Sequence, residues 1–251
     1  MLTIDKYLEY LGYDEPPPPT LATLRDLHRR HLSRVQYDTK HALRLDSDNM
    51  AEMDLDETFD NVVLGAEGGM CLQLNLLFDR LLVGLGYSAT VVGGGTWIPG
   101  NRFCPDPEHL LMLVDLADER WLADVGHASV SFVEPLRFAP GVQSQDGCEF
   151  RLLREGGYHV VQTRTKGKDW RMTFRFTTQP RVPGDWRGVG DGQGPNLMAS
   201  VRRRRRALPG GQVTQTRNLF TLVEDGVESI RLLRDPADER YVIDTYWEGR
   251  G

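Results

Sequence analysis

The run from Cys71 to Gly86 constrains the fold more than any other part of the chain. Leu74, Leu77, Phe78, Leu81, Leu82 and Leu85 recur at helical spacing and make the segment apolar on most sides. Such a helix has to be buried. Gly86 suits its C-terminal cap. At its start stands Glu67-Gly68-Gly69-Met70-Cys71-Leu72-Gln73-Leu74-Asn75. Two glycines let the backbone turn sharply and leave room for a substrate. A thiol at a helix N-terminus sits against the positive end of the dipole, which favours thiolate. Cys71 is therefore the first candidate nucleophile.

The flanks of this helix differ. Before it, Ile4, Tyr7, Leu8 and Leu11 predict a helix that Gly12 ends. Pro16 to Pro19 is a rigid connector, and Thr20 caps a second helix carrying Leu21, Leu24, Leu27, His28, His31 and Leu32. Residues 36–60, with Asp46-Ser47-Asp48-Asn49, read as loop with short helical turns. After it the pattern changes to strands: Tyr87–Gly93, His109–Leu116, Arg120–Val125, Tyr158–Arg164 and Asp169–Phe176, then two more around Val213–Leu222 and Ser229–Leu233. Gly93-Gly94-Gly95, 101–107 and the glycine-rich 183–196 read as loops. The tail, Asp235–Trp247, ends in a helix.

Composition excludes several classes. The net charge of −6 gives no support for a nucleic-acid binder. Cys71, Cys104 and Cys148 form neither a CxxC pair nor an even framework, which points to free thiols and a reducing, cytoplasmic setting. The first residues lack a signal-peptide layout, and no apolar run is long enough for a membrane helix. No cluster has metal-ligand spacing; His28 and His31 lie three apart without an acidic partner on the helix.

The chemistry is sought around the thiol. Leu110–Leu116 and Arg120–Val125 flank a turn at Ala117-Asp118-Glu119. A two-residue loop there sets His109 opposite a position between 126 and 128, with Asp124 a same-face neighbour. An odd register would separate them. Imidazole can take the thiol proton, and the carboxylate can orient the ring. Cys71, His109 and Asp124 thus form a candidate triad. His127, just past Asp124, is the rival base. Cys104, in Phe103-Cys104-Pro105, reads as an exposed thiol or a liner of the acyl pocket, and Cys148 as structural.

These residues resemble the arylamine N-acetyltransferases. The Gly68-Gly69-Met70-Cys71 run is similar to that family's arginine-glycine-glycine-aromatic-cysteine motif. Glu108-His109-Leu110-Leu111 resembles its histidine segment, Trp121-Leu122-Ala123-Asp124-Val125-Gly126 its aspartate segment, and Glu134-Pro135-Leu136-Arg137-Phe138 the proline-leucine stretch that follows. The resemblance implies an α+β fold: an N-terminal helical bundle, a central β-barrel and a C-terminal α/β lid around a cysteine-protease-like core. The expected divisions are 1–86, 87–185 and 186–251. It also implies ping-pong acyl transfer through a cysteine thioester, usually from acetyl-CoA to an arylamine or hydrazine.

Departures from the family pattern fall where pockets are shaped. Glu67 replaces the motif arginine, Met70 the aromatic and Gln73 the acidic residue. Val35-Gln36-Tyr37-Asp38-Thr39-Lys40 stands where the family has proline-phenylalanine-glutamate-asparagine. Some relatives are amide synthases that take a long acyl chain from a carrier-protein thioester. A diverged pocket with an intact triad fits that role, with an amine as acceptor and acyl-CoA or a phosphopantetheine thioester as co-substrate. The alternatives are an acetyl-CoA-dependent arylamine N-acetyltransferase, a thioester or amide hydrolase, and a binding protein that kept the fold. Arg202 to Arg206 reads either as a solvated strand edge or as a phosphate contact through Arg202, Arg204 and Arg206, toward CoA or an acidic carrier protein.

Overall fold

Thr3 and Thr20 set the first two helices by accepting hydrogen bonds from the N–H groups of Lys6 and Thr23. The computed structural model describes residues 1–40, 52–189 and 201–248. Helices α1 (Ile4–Leu11) and α2 (Leu21–Arg34) are followed by a two-residue strand, β1 (Tyr37–Asp38). A short α3 (Leu55–Phe59) runs into a wider turn at Asp60–Leu64, and α4 (Cys71–Gly84) follows. The expected loop at 46–49, and 190–200 from the glycine-rich stretch onward, lie outside the described residues.

The strands form two antiparallel sheets. In the larger, β2 (Ser88–Ile98) lies between β4 (His109–Leu116) and β10 (Arg171–Pro180). Its order is β6-β5-β4-β2-β10-β9-β8-β7, and β3 (Arg102–Phe103) pairs with β2. The others are β5 (Glu119–Ala123), β6 (Leu136–Arg137), β7 (Val142–Gln145), β8 (Cys148–Glu155) and β9 (Tyr158–Arg164). Its nine strands curl into a nearly closed barrel. The smaller sheet has the order β1-β11-β12-β13-β14, with β11 (Arg203–Leu208), β12 (Gly211–Thr216), β13 (Leu219–Glu224) and β14 (Val227–Leu232). Helix α5 (Pro236–Val242) and a wider turn through Trp247 end the described chain.

The apolar helix α4 is enclosed as its pattern requires. Leu74, Leu77, Phe78, Leu81 and Leu82 are fully buried and share one core with Tyr7, Leu24 and Leu27 from the first helices. Met112 and Val114 of β4 and Ala207 of β11 join that core. Burying each large aliphatic side chain contributes about 1.5–3 kcal/mol. A second core of Val92, Leu111, Leu113, Phe132, Phe150, Phe174 and Phe176 fills the barrel.

Three sequence expectations change. Gly93-Gly94-Gly95 is no loop but the middle of β2, because the partner strands approach too closely for side chains. A Cβ on Gly94 would stand 2.0 Å from the Arg175 carbonyl oxygen, and one on Gly95 2.2 Å from that of Cys104. The expected strand Val213–Leu222 is two strands, broken at Arg217, whose φ of 53° makes the turn. The arginine run is no solvated edge: β11 lies between β1 and β12, with Arg204 9% and Arg205 1% exposed. Among the described residues no helix is long and apolar enough to cross a membrane, which says nothing of a β-barrel.

Candidate active site

The β4–β5 hairpin places the first two members. Asp115 pairs with Arg120 and Leu116 with Glu119, so the loop is the two residues Ala117 and Asp118. Continued from Met112 opposite Ala123, this register sets His109 opposite residue 126. His109 opens β4, Asp124 directly follows β5, and both side chains fall on one face. The His109 Nε2–H donates to Asp124 Oδ2 at 2.8 Å. Each residue is 1% exposed.

Cys71 reaches them through helix α4. Met70 is the N-cap, and its N–H donates to Gln73 Oε1 at 3.0 Å. Gln73, where the family motif has an acidic residue, thus makes the reach-back contact of a capping box. Gly68 and Gly69 lie against the segment after α2: Asp38 N–H donates to the Gly69 carbonyl at 3.1 Å, and Gly69 N–H to that of Gln36 at 3.3 Å. Gly68 has a φ of +73°, which favours glycine. The long-range contact is made at Gly126, where a Cβ would stand 2.5 Å from Cys71 Cα. Only a glycine lets the Asp124 loop come this close to the helix start. Cys71 stands beside His109 and acts on its imidazole. With Nε2 committed to Asp124, Nδ1 is the ring nitrogen left for the thiol.

The polar groups here have the partners that burial demands. Asp124 Oδ1 accepts from Asn75 Nδ2 at 3.0 Å and from Gly126 N at 2.9 Å. Asn75 also donates to the Leu110 carbonyl and accepts from Val125 N–H at 2.9 Å. Asp124 N–H donates to His28 Nε2 at 3.1 Å, while His28 Nδ1–H donates to the Val133 carbonyl at 2.9 Å. His28 is thereby fixed as a neutral tautomer. Sequence reading passed over Asn75 and His28. Asn75 had a signal, since it stands one helical turn from Cys71 on the same face. His28 reads from sequence as a core residue of α2.

Electrostatics follow from these contacts. Burial opposes the His109 cation, but the charge and hydrogen bond of Asp124, then Cys71, outweigh it and push the imidazole well above its ordinary range. Burial would raise Asp124, yet His109 and the hydrogen bonds hold its carboxyl well below the usual range. His127 behaves in the opposite way. Burial, then the neighbouring His109, push it down to about 3. Its ring meets His109 edge-on at 5.6 Å, and its Nδ1 accepts the Ser129 N–H at 3.2 Å. Tyr37 belongs to this neighbourhood. Burial, then Cys71, raise its phenol well above the ordinary value, which keeps it protonated. Cys104 is buried rather than exposed, and Thr96 Oγ1 donates to its Sγ at 3.7 Å. Burial, then Glu108, push its thiol up. Cys148 is buried in the barrel core.

Comparison with known proteins places the chain in a family. A family model described as N-acetyltransferase matches residues 20–244. The chain belongs to that family. Proansamycin X synthase of Amycolatopsis mediterranei is 32% identical over 252 residues, which cover 98% of this chain and 97% of that protein. Arylamine N-acetyltransferase of Escherichia coli is 27% identical over 89% of this chain and 80% of its own. The structure of arylamine N-acetyltransferase from Mycobacterium marinum superimposes with a TM-score of 0.84 at 21% identity, covering 98% of this chain and 92% of that one. The fold is therefore that of the arylamine N-acetyltransferases, and the chain is an N-acyltransferase.

Within this N-acetyltransferase frame the arginine run divides by strand alternation. Arg202 and Arg204 both reach Asp38, at 2.9 and 3.1 Å. Arg206 donates to the carbonyls of Ser33 and Tyr246. The three arginines expected to meet phosphate thus have protein partners. Arg205, directly opposite Tyr37, takes the other face and turns inward. Among the described residues no group of three or more His, Cys, Asp or Glu side chains is placed to hold a metal ion.

Proposed function

We propose that Cys71, His109 and Asp124 carry acyl transfer to an amine through a thioester on Cys71, and that the enzyme makes an amide in a biosynthetic sequence. The observation that carries this reading is the buried His109–Asp124 pair, closed at 2.8 Å, with the start of the Cys71 helix packed against Gly126 beside it. His109 takes the Cys71 proton at the nitrogen not bound to Asp124. The sulfur attacks the donor's thioester carbonyl, a new C–S bond forms and the donor C–S bond breaks. The donor thiol leaves with the proton from His109. The acceptor amine then attacks the Cys71 thioester and gives its proton to His109. The Cys71 C–S bond breaks, the amide departs and the proton returns to the thiol. Backbone N–H groups in the first turn of α4 have no intrahelical acceptor, and in this reading that of Cys71 stabilises the carbonyl oxygen as it gains charge.

The donor is CoA or a carrier-borne phosphopantetheine thioester, which present the same reacting group. A complex of the Mycobacterium marinum enzyme with CoA, which superimposes with a TM-score of 0.80, supports the CoA-type donor. The match along nearly the whole of both chains to proansamycin X synthase supports the biosynthetic role. Burial of His109 and Asp124 favours transfer to an amine over transfer to water.

Intact-protein mass spectrometry after mixing with a panel of acyl-CoAs and acyl-pantetheine thioesters tests this. Wild type should gain the acyl mass from one donor class, and Cys71→Ala should gain none. An adduct of equal yield on Cys71→Ala would defeat the thioester mechanism.

A further inference from the structure

Arg205 is 1% exposed and carries a full charge into the interior. Its Nε donates to Gln212 Oε1 at 3.0 Å. One terminal nitrogen donates to the His127 carbonyl at 3.2 Å, the other to those of Ser131 at 3.1 Å and Phe132 at 2.9 Å. Gln212 grips the same loop, accepting Ser131 N–H at 3.1 Å and donating to its carbonyl at 2.7 Å. Among the described residues no carboxylate lies within ion-pair distance of Arg205. Burial pulls its guanidinium down to about 10, so it remains a cation at neutral pH.

A buried cation with only neutral acceptors is costly, and a neutral amide such as Gln212 would tie strand to loop more cheaply. The loop it grips is the continuation of Asp124-Val125-Gly126. That loop is held at its start by Asn75 and at Val133 by His28. Between these points Arg205 spans His127 to Phe132 with one planar fork, a geometry that lysine cannot reproduce.

We propose that Arg205 is a positioning residue of the triad: its fork holds the 127–132 loop so that Asp124 meets His109 and Gly126 meets Cys71. The small sheet thereby fixes the reactive geometry of the large one. This rests on Cys71 being the reactive thiol, and the test separates the two claims.

The rate of Cys71 alkylation by iodoacetamide, resolved by peptide mass, reports the activated thiol without any substrate. Wild-type Cys71 should react faster than free N-acetylcysteine. Arg205→Gln should slow it by about tenfold to a hundredfold, the range expected for a displaced catalytic group. Arg205→Lys should recover part of the loss. Val213→Ala, which removes core volume in the small sheet away from the triad, should lower the melting temperature and leave the rate unchanged. If Arg205→Gln melts earlier but reacts at the wild-type rate, Arg205 is structural only and the proposal is overturned. If Arg205→Gln does not fold, an Arg205→Lys rate equal to wild type overturns it equally. Wild-type Cys71 no faster than N-acetylcysteine overturns the triad reading and this proposal with it.

Discussion

The two sheets put polar groups in their interiors in opposite ways. The nine-stranded sheet delivers His109 at the start of β4 and Asp124 just past β5, and the two form an ion pair inside the protein. The five-stranded sheet buries Arg205 with neutral carbonyls around it, and Arg204 against Asp38. In the first, opposite charges meet head-on at the pair proposed to move a proton. In the second, Arg205 grips the backbone of one loop, and the ion pair of Arg204 with Asp38 lies on the other face of the strand. The large sheet supplies the proposed chemistry and the small one supplies the hold, although β11 was the most conspicuous charge run in the chain.

Removing charge from the large sheet should have the largest effect. Asp124→Asn keeps the side chain's shape but removes the charge that supports the His109 cation. Acylation of Cys71 should slow by about 10³-fold or more, as loss of an orienting carboxylate does in comparable triads. Rapid-quench mass spectrometry would measure it. A loss below tenfold would mean that Asp124 only supports the loop.

How much of this was legible in sequence divides along the same line. The hairpin that unites His109 and Asp124 is local, so alternation and a two-residue loop suggested their meeting, and the register of the strands, which an odd slip would have reversed, came from the structure. The burial of α4 was legible because its leucines make it apolar on most sides. The contact between Cys71 and Gly126 joins residues 55 apart in the chain and has no local signature. Nor could spacing show which arginines turn inward, because a one-residue slip exchanges the faces of β11. Strand β8, Cys-Glu-Phe-Arg-Leu-Leu-Arg-Glu, was missed for a related reason: its mixed alternation reads as surface until β7 and β9 flank it.

Acid should expose a second difference. His28 is pushed down to about 4, and His31 and His127 each to about 3, all by burial first. In the unfolded chain each takes a proton near its ordinary value of 6.5. Below that pH the unfolded state binds more protons, so stability falls as pH drops toward the folded values, by up to about 4 kcal/mol per pH unit. His109 works the other way. Its raised folded value gives stability that is present below 6.5 and lost as pH rises through that value. Asp124, depressed in the fold, adds its loss only below 3.8. Urea midpoints measured from neutral pH down to about pH 5 should fall steeply. A flat profile would mean that the three imidazoles are already protonated in the fold.

The clamp on the small sheet should cost less to break. Asp38 is 5% exposed and receives both Arg202 and Arg204, of which Arg202 is 43% exposed at its side chain. Solvent screening discounts the first pair, while the second is largely buried. Asp38→Asn should lower stability by about 2–3 kcal/mol and the melting temperature by roughly 5–10 °C. The backbone bond from Asp38 to Gly69 survives the substitution, so acylation of Cys71 should fall only a few-fold. Loss of acylation without loss of stability would move Asp38 from the clamp into the reaction.

The smallest effect is expected at the residue that most resembles a second base. His127 lies two residues past Val125, is buried, and meets the His109 ring at 5.6 Å. Proximity alone does not make it a base, because a base has to reach the proton it takes. Its Nδ1 is engaged with Ser129, and burial beside the His109 cation keeps it neutral. His127→Asn retains the backbone carbonyl that Arg205 grips, so Cys71 acylation should stay within about threefold of wild type, against a loss of about 10³-fold for His109→Gln. Equal losses for the two variants would pass the role of base to His127. Arg205 would then hold the base itself in place, and the division of labour between the two sheets would no longer stand.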